Sequence, residues 1–251
     1  MQHGDRIKVV RGIHIRVRKA YKERILFGGV YGSTAIGRDT EYSDIEMMYV
    51  MREGFPAKNL TFLYQGLPVE VNFLPVDAIG SWFEKIDLAL PIHMGNVSTL
   101  QLWIGEDRHR EEVLARYAQM PDEAIARFFI EHGSEIAYES FNKIQSIPRR
   151  ANKRDRELFV YEVAHEIALA VALINRKPLT KGYMSGIKES YEFEEVPDDY
   201  KELAEAFLNS ADVKESIETG RRLLESYERF VRKMGYKVRS VQTLDEIDWT
   251  S

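Results

Sequence analysis

The two halves of the sequence follow different hydrophobic patterns, and this contrast constrains the fold more than any other feature. The first half consists of short apolar runs separated by glycines, which is typical of strands in a sheet. The second half repeats its apolar residues every three to four positions over long stretches, which is typical of amphipathic helices. The change falls near Met120-Pro121, where a proline precedes two acidic residues that favour a helix start. We therefore predict an α+β protein with two domains, residues 1–120 and residues 121–251.

Local patterns predict the elements of each domain. Apolar residues spaced by three and four between Asp5 and Arg24 predict a helix, and Gln65-Gly66 is predicted to turn a hairpin. The predicted strands are residues 25–31, 44–51, 60–64, 67–74 and 101–105. The further predicted helices are residues 75–93, 107–119, 121–145, 155–175, 198–209 and 211–234, whereas residues 182–186 are predicted to form a flexible loop.

Acidic residues on two of these strands indicate the chemistry. Asp44 and Glu46 are two positions apart, so their carboxylates project from the same face of a strand. Glu70, on a later strand with apolar neighbours facing the other way, can place a third carboxylate beside them. Clustered carboxylates repel one another unless a cation lies between them, and oxygen ligands suit Mg²⁺, which also binds substrate phosphates. The pattern therefore predicts a site for magnesium and a nucleotide.

A glycine and a serine, Gly32-Ser33, lie where the first strand turns into a short helix. A glycine at such a turn lets backbone N–H groups and a hydroxyl approach a phosphate closely. Neither a Walker A nor a G-x-G-x-x-G motif occurs, so P-loop and Rossmann chemistry are unsupported. Alternating acids alone are more often the solvated face of a strand, and the adjacent Gly32-Ser33 turn favours the functional interpretation.

The composition excludes several classes of function. With no cysteine there is no disulfide framework, thiolate nucleophile or Cys-ligated metal. Thirty-five basic against forty acidic residues leave a net charge of −5, so no general cationic field exists for a nucleic acid and we expect none as a partner. The N-terminus lacks the apolar core of a signal peptide, and no stretch approaches the roughly 18 apolar residues of a membrane span. We therefore expect a cytoplasmic protein that makes no membrane contact.

The first domain carries a motif with a family resemblance. Gly32-Ser33 followed by Ser43-Asp44-Ile45-Glu46 resembles the G-S-x(9)-S-D-[IV]-[DE] motif of the DNA polymerase β-like nucleotidyltransferase superfamily. Within that superfamily, three segments are similar to the kanamycin nucleotidyltransferase family of aminoglycoside 4'-O-adenylyltransferases: residues 29–33, 42–48 and 69–73.

The resemblance extends into the second domain. Glu135, Glu139 and Lys143 are spaced one helical turn apart and fall where that family has an acidic pair and a lysine. From spacing alone, Glu139 and Lys143 form the ordinary i,i+4 ion pair of a helix surface. Only the resemblance indicates that they are functional.

The resemblance implies both an architecture and an activity. It implies an N-terminal nucleotidyltransferase domain with a mixed sheet flanked by helices, and a C-terminal helical bundle for substrate binding and dimerisation. It implies transfer of AMP from Mg-ATP, or of another nucleoside monophosphate from its triphosphate, to the 4'-hydroxyl of an aminoglycoside such as kanamycin. Pyrophosphate would leave, the cell would become resistant, and the active sites would lie at the interface of a homodimer.

The same resemblance implies a role for each candidate residue. Four are implied to bind the nucleotide: Gly32, Ser33, Ser43 and Lys143. Three are implied to hold Mg²⁺: Asp44, Glu46 and Glu70. Four are implied to bind the aminoglycoside: Glu46, Glu70, Glu135 and Glu139. Asp44 and Glu46 are also implied to be catalytic, and Glu139 is implied to be the general base for the sugar hydroxyl.

Two alternative functions stay open. The first keeps nucleotidyl transfer but changes the acceptor to a protein hydroxyl or an RNA end, and the acidic balance argues against RNA. The second is a non-catalytic nucleotide-binding module. The joint presence of Ser33, Asp44, Glu46 and Glu70 argues against that module, since a purely structural domain has no need for all four polar groups together.

Overall fold

The computed structural model describes residues 1–149, 153–235 and 243, which divide into two compact units. The first unit consists of residues 1–120 together with residues 176–182, and the second consists of residues 121–175 and the chain from residue 183 onward. The first unit contains a sheet flanked by helices and the second is helical. The prediction of an α+β fold with a mixed sheet and a helical C-terminal part is confirmed.

The first unit is built on a five-stranded mixed sheet with the strand order β3-β4-β2-β1-β5. The strands β2 and β4 run parallel, and the other neighbours are antiparallel. The strands are β1 (Ile25–Tyr31), β2 (Ile45–Met51), β3 (Lys58–Tyr64), β4 (Leu67–Pro75) and β5 (Gln101–Gly105). The helices are α1 (His3–Tyr21), which runs into a 3₁₀ turn (Lys22–Arg24), α2 (Gly32–Ala35), α3 (Val76–Glu84), α4 (Leu90–Ser98) and α5 (Asp107–Ala118).

The single helix predicted for residues 75–93 is wrong, because the chain forms two helices there. The second of them, α4, carries Pro91 in its first turn. Proline has no N–H to donate and clashes with the preceding turn, so it is tolerated at a helix start and not in the interior. Pro91 therefore begins a new helix.

One face of the sheet is apolar and forms the core of the first unit. Along β2 the side chains of Ile45, Met47 and Tyr49 are fully buried, and Val10 of α1 belongs to the same cluster. Because side chains alternate along a strand, Glu46 points to the opposite face. The packing of this core thus fixes which face of the sheet carries the acidic residues.

Glycine at position 29 is required by the sheet itself. A Cβ atom there would collide with the backbone carbonyl of Gln101 on the neighbouring β5. We expect Gly29→Ala to lower the free energy of unfolding by about 1–3 kcal/mol, since the strands must separate. Gly80→Ala is the matched control, because a Cβ on this α3 residue meets nothing within 4 Å. Urea unfolding of both variants tests this, and equal stabilities would contradict it.

The second unit consists of helices around an apolar helix. They are α6 (Asp122–Ser146), which ends in a 3₁₀ turn (Ile147–Arg149), α7 (Lys153–Asn175), α8 (Tyr183–Ser190), α9 (Tyr200–Leu208) and α10 (Val213–Lys233). The residues of α7 from Ile167 to Ile174 are all buried. Within the described ranges, no helix is both long enough and apolar enough to cross a membrane.

The loop predicted for residues 182–186 is wrong, because α8 begins at Tyr183. Glycine is a poor helix former, so Gly182 and Gly186 lower the helix propensity of this segment and favour the prediction of a loop. Tertiary contacts stabilise it instead: Ile187 is fully buried, and the buried hydroxyls of Ser190 and Tyr200 are 2.9 Å apart.

Candidate active site

Three carboxylates come together on the polar face of the sheet. Glu46 on β2 and Glu70 on β4 are directly opposite each other in the parallel register. Asp44 immediately precedes β2, two residues before Glu46. Neighbouring strands are about 4.8 Å apart, so the three acids interact electrostatically. The structure therefore places Glu46 and Glu70 opposite each other, with Asp44 near enough to repel Glu46.

This arrangement changes the protonation of Glu46. Burial, together with repulsion by Asp44 and Glu70, raises the pKa of Glu46 to about 7. Burial also raises the pKa of the neighbouring Tyr31, and the charges of Glu46 and Glu70 add to that effect. A bound cation would favour the ionised form of these acids, because it offsets the repulsion between them.

Gly32 is positioned directly against Glu46. Its φ of +67° lies in the left-handed region that glycine adopts without strain, and a Cβ atom there would collide with Glu46 Oε2. Its N–H donates to Thr99 Oγ1 at 3.3 Å, and Ser33 follows it in α2. The predicted turn from strand to helix is thus present, and it brings Gly32 and Ser33 to the acidic face.

Ser43 closes the loop that leads to Asp44. Its Oγ accepts a hydrogen bond from the backbone N–H of Thr40 at 2.9 Å and lies 3.3 Å from Thr40 Oγ1. These contacts fix the hydroxyl at the base of the loop. Its role in nucleotide binding stays a prediction.

Two asparagines that sequence analysis did not identify connect to Glu70. Asn59 Nδ2 donates to Glu70 Oε1 at 2.6 Å and to Asn72 Oδ1 at 2.7 Å, and Asn72 Nδ2 donates to Tyr31 Oη at 3.3 Å. Asn72 could have been found from its place two residues after Glu70 on the same strand. Asn59 lies before the predicted start of β3, so its register with Glu70 could not be predicted.

The remaining candidate residues belong to the second unit. Glu139 and Lys143 lie on α6, and Glu139 is exposed. Lys143 Nζ is 2.6 Å from Glu166 Oε1 and 3.9 Å from Glu162 Oε1, both on α7. Glu135 also lies on α6, but its side chain is outside the part of the chain that the structure describes. The partners of Lys143 could not be predicted from the sequence, because they lie on another helix.

The carboxylate oxygens of the acidic face are donors of the kind that magnesium prefers. No three His, Cys, Asp or Glu residues within residues 1–149 and 153–235 form a ready-made metal site. Mg²⁺ commonly binds one or two carboxylates and completes its shell with water and substrate phosphates. Burial raises the pKa of Glu46, and so does repulsion by Asp44 and Glu70, which such an ion would neutralise. The residues present therefore suit a metal that arrives with a nucleotide.

We predict an unusual pH dependence of stability in the metal-free protein. The pKa of Glu46 rises from an ordinary 4.5 to about 7 on folding, so the folded form holds a proton that the unfolded chain releases. This proton therefore contributes up to about 3 kcal/mol to the free energy of unfolding. The contribution is fully present below about pH 4.5 and is lost as the pH rises through about 7. Glu46→Gln should remove this contribution. Urea unfolding in EDTA, at about pH 5 and about pH 8, measures it. An identical pH dependence in both proteins would contradict the prediction.

Comparison with known proteins identifies a family whose model matches this chain. A family model described as the KNTase C-terminal domain matches residues 108–237, which is more than half of the chain. Two curated relatives are each 26% identical over 234 residues, covering 92% of this chain and 88% of the relative. Both are named "Aminoglycoside nucleotidyltransferase (4')", one from Staphylococcus aureus and one from Bacillus sp.. A solved nucleotidyltransferase-like protein from Exiguobacterium sibiricum is 11% identical, with a TM-score of 0.48 over 86% of this chain and 77% of that one.

Proposed function

This chain belongs to the KNTase C-terminal domain family and is a nucleotidyltransferase, and on that premise we propose that it adenylylates aminoglycosides. In the proposed reaction AMP moves from Mg-ATP to the 4'-hydroxyl of an aminoglycoside such as kanamycin, with release of pyrophosphate and resistance to the antibiotic. The observation that carries the proposal is the group of carboxylates formed by Asp44, Glu46 and Glu70 beside the Gly32 turn. The names of the two relatives support the choice of acceptor.

The first unit provides the nucleotide site in this proposal. Asp44 and Glu46 would hold Mg²⁺, which when bound neutralises charge on the triphosphate and so assists departure of pyrophosphate. The hydroxyls of Ser33 and Ser43 would orient the phosphates, and the glycine at position 32 lets them approach closely. Phosphoryl-type transfer depends on positioning and charge neutralisation more than on covalent help. Fixed groups on one face of a sheet suit that requirement.

The second unit provides the groups that act on the acceptor. Glu139 takes the proton of the 4'-hydroxyl, whose oxygen then forms a bond to the α-phosphorus while the bond to pyrophosphate breaks. Lys143 binds a phosphate, and its ion pair with Glu166 holds its ammonium group until the nucleotide arrives. These two roles rest on the resemblance of the α6 residues to the family.

Aminoglycosides are polycations, and acidic residues of this chain match them in charge. Glu70 and Glu139 would bind ammonium groups, with Glu46 and Glu135 completing the acidic lining. A negative surface also raises the local concentration of a cationic substrate, consistent with the net charge of −5. The acidic balance favours this acceptor over RNA.

A homodimer completes the proposal. The helical residues 121–251 would bind substrate and form the interface, so that each active site combines residues of two copies. The protein would act in the cytoplasm without a nucleic-acid partner.

The acceptor assignment is tested by pyrophosphate release from Mg-ATP. We expect release with kanamycin and none with an aminoglycoside that lacks the 4'-hydroxyl. Release with both compounds would contradict the 4' assignment while preserving nucleotidyl transfer. Binding of Mg-ATP without release for any aminoglycoside would favour a protein acceptor or a non-catalytic module.

A further inference from the structure

A buried arginine forms hydrogen bonds with the loop that precedes Asp44. Arg6 of α1 is only 1% exposed, and its Nε and Nη2 atoms donate to the carbonyl oxygen of Ser43 at 3.2 and 2.9 Å. Its Nη1 atom donates to Met1 O at 2.6 Å and to Asp39 Oδ2 at 3.0 Å. The side chain of Asp39 is itself 1% exposed, so the buried cation has a buried counter-ion. The guanidinium therefore fixes the peptide group between Ser43 and Asp44.

A buried threonine holds the other side of Asp44. Thr34 of α2 is 1% exposed, and its Oγ1 donates to the carbonyl oxygen of Asp44 at 3.2 Å. The peptide groups before and after Asp44 are thus both bonded by buried side chains, one from α1 and one from α2. Two fixed peptide planes determine the position of the Cα atom between them and the direction of its Cα–Cβ bond.

Asp44 lies in an exposed segment beside two other carboxylates, so its position depends on contacts that hold its backbone. It is exposed, it lies outside β2, and it follows a loop whose residues 36–38 and 40–42 are exposed. Repulsion by Glu46 and Glu70 favours movement of its carboxylate away from the site. The side-chain donors of Arg6 and Thr34 oppose such a movement.

We propose that Arg6 and Thr34 are positioning residues, which hold the backbone on both sides of Asp44 so that its carboxylate stays at the nucleotide site. The inference rests on the proposed function, because it gives Asp44 its role there. Neither residue touches the substrate. Their effect on the reaction passes through the placement of Asp44, where a displacement of about 1 Å can cost up to about a hundredfold in rate.

Thr34→Val tests the inference, since valine keeps the shape of threonine and removes the donor. We expect it to lower kcat about 10- to 100-fold with an unchanged KM for kanamycin. We also expect the Mn²⁺ concentration that half-saturates the protein with ATP, measured by electron paramagnetic resonance, to rise about tenfold. Thr34→Ser should restore both. Thr219→Val is the matched control, because that buried hydroxyl donates to Glu215 O in the second unit.

Each outcome decides the inference. Wild-type kcat and Mn²⁺ binding in Thr34→Val would overturn the inference. It would also be overturned if kcat fell equally in Thr34→Val and Thr219→Val and a lower melting temperature explained the fall. A wild type that binds Mn²⁺ with ATP but modifies no aminoglycoside would overturn the proposed function alone. In that case loss of Mn²⁺ binding in Thr34→Val and recovery in Thr34→Ser would still support the positioning role. Absence of Mn²⁺ binding by the wild type would overturn both.

Discussion

Asp44→Asn is expected to lower the rate of nucleotidyl transfer by about a thousandfold, the order of loss when a charge-stabilising group leaves a phosphoryl-transfer site. Asparagine has nearly the same shape but no charge, so the site loses a metal-binding carboxylate and retains its packing. The stability should stay the same or rise, because Asp44 repels Glu46 in the folded protein. Lost activity with retained stability is the signature of a functional residue.

Steady-state pyrophosphate release and a thermal melt on the same preparation measure both quantities. Glu53→Gln is the matched control, since Glu53 is an exposed acid just beyond the end of β2. It should keep the wild-type rate. An Asp44→Asn protein within about tenfold of the wild type would remove Asp44 from the metal site and the proposed mechanism with it.

Arg6→Met is expected to lower the free energy of unfolding of the first unit by about 3–5 kcal/mol, which is the cost of breaking a buried ion pair from one side. The substitution leaves the buried carboxylate of Asp39 without its arginine, and the partly exposed His3 ring, 2.6 Å from Asp39 Oδ1, stays beside it. It also removes two donors from Ser43 O and one from Met1 O. Methionine fills part of the space, so lost charge and hydrogen bonds dominate the effect.

Hydrogen exchange resolved along the chain measures this loss in the first unit, and Arg11→Met is the matched control. Arg11 lies on the same helix and is exposed, so its removal should change stability by less than about 0.5 kcal/mol. The double variant Arg6→Met with Asp39→Asn should recover part of the loss, because no unpaired charge is then buried. Equal effects of Arg6→Met and Arg11→Met would contradict the buried network.

The sheet was largely predictable because its signal is local. Alternating apolar residues identified β2 and β4 and put Glu46 and Glu70 on their polar sides. The α1 helix was predicted from its apolar spacing, but the face that it buries was only partly predicted. Its buried residues include Arg6 and His14. A hydrophobic pattern counts both as exposed, and only the distant partners Asp39 and Tyr49 explain their burial.

The polar contacts of the candidate site were less predictable for the same reason. The pairing of Asn59 with Glu70 depends on the register of a hairpin, which a sequence fixes only loosely at the strand ends. The ion pair of Lys143 with Glu166 joins two helices whose relative rotation no local pattern determines. Glu139 and Lys143 were selected by resemblance, because their spacing equally suits an ordinary surface pair.

ATP labelled on phosphorus distinguishes the proposed transfer of AMP at the acidic face of the sheet from other reactions of ATP. The protein is incubated with kanamycin, Mg²⁺ and ATP labelled at either the α- or the γ-phosphorus. We predict that the α-label appears on kanamycin and the γ-label in pyrophosphate, and that both appear about a thousandfold more slowly with Asp44→Asn. The γ-label on kanamycin would show transfer of phosphate, and transfer of neither label would show that no reaction occurs. Either result would contradict the proposed transfer of AMP.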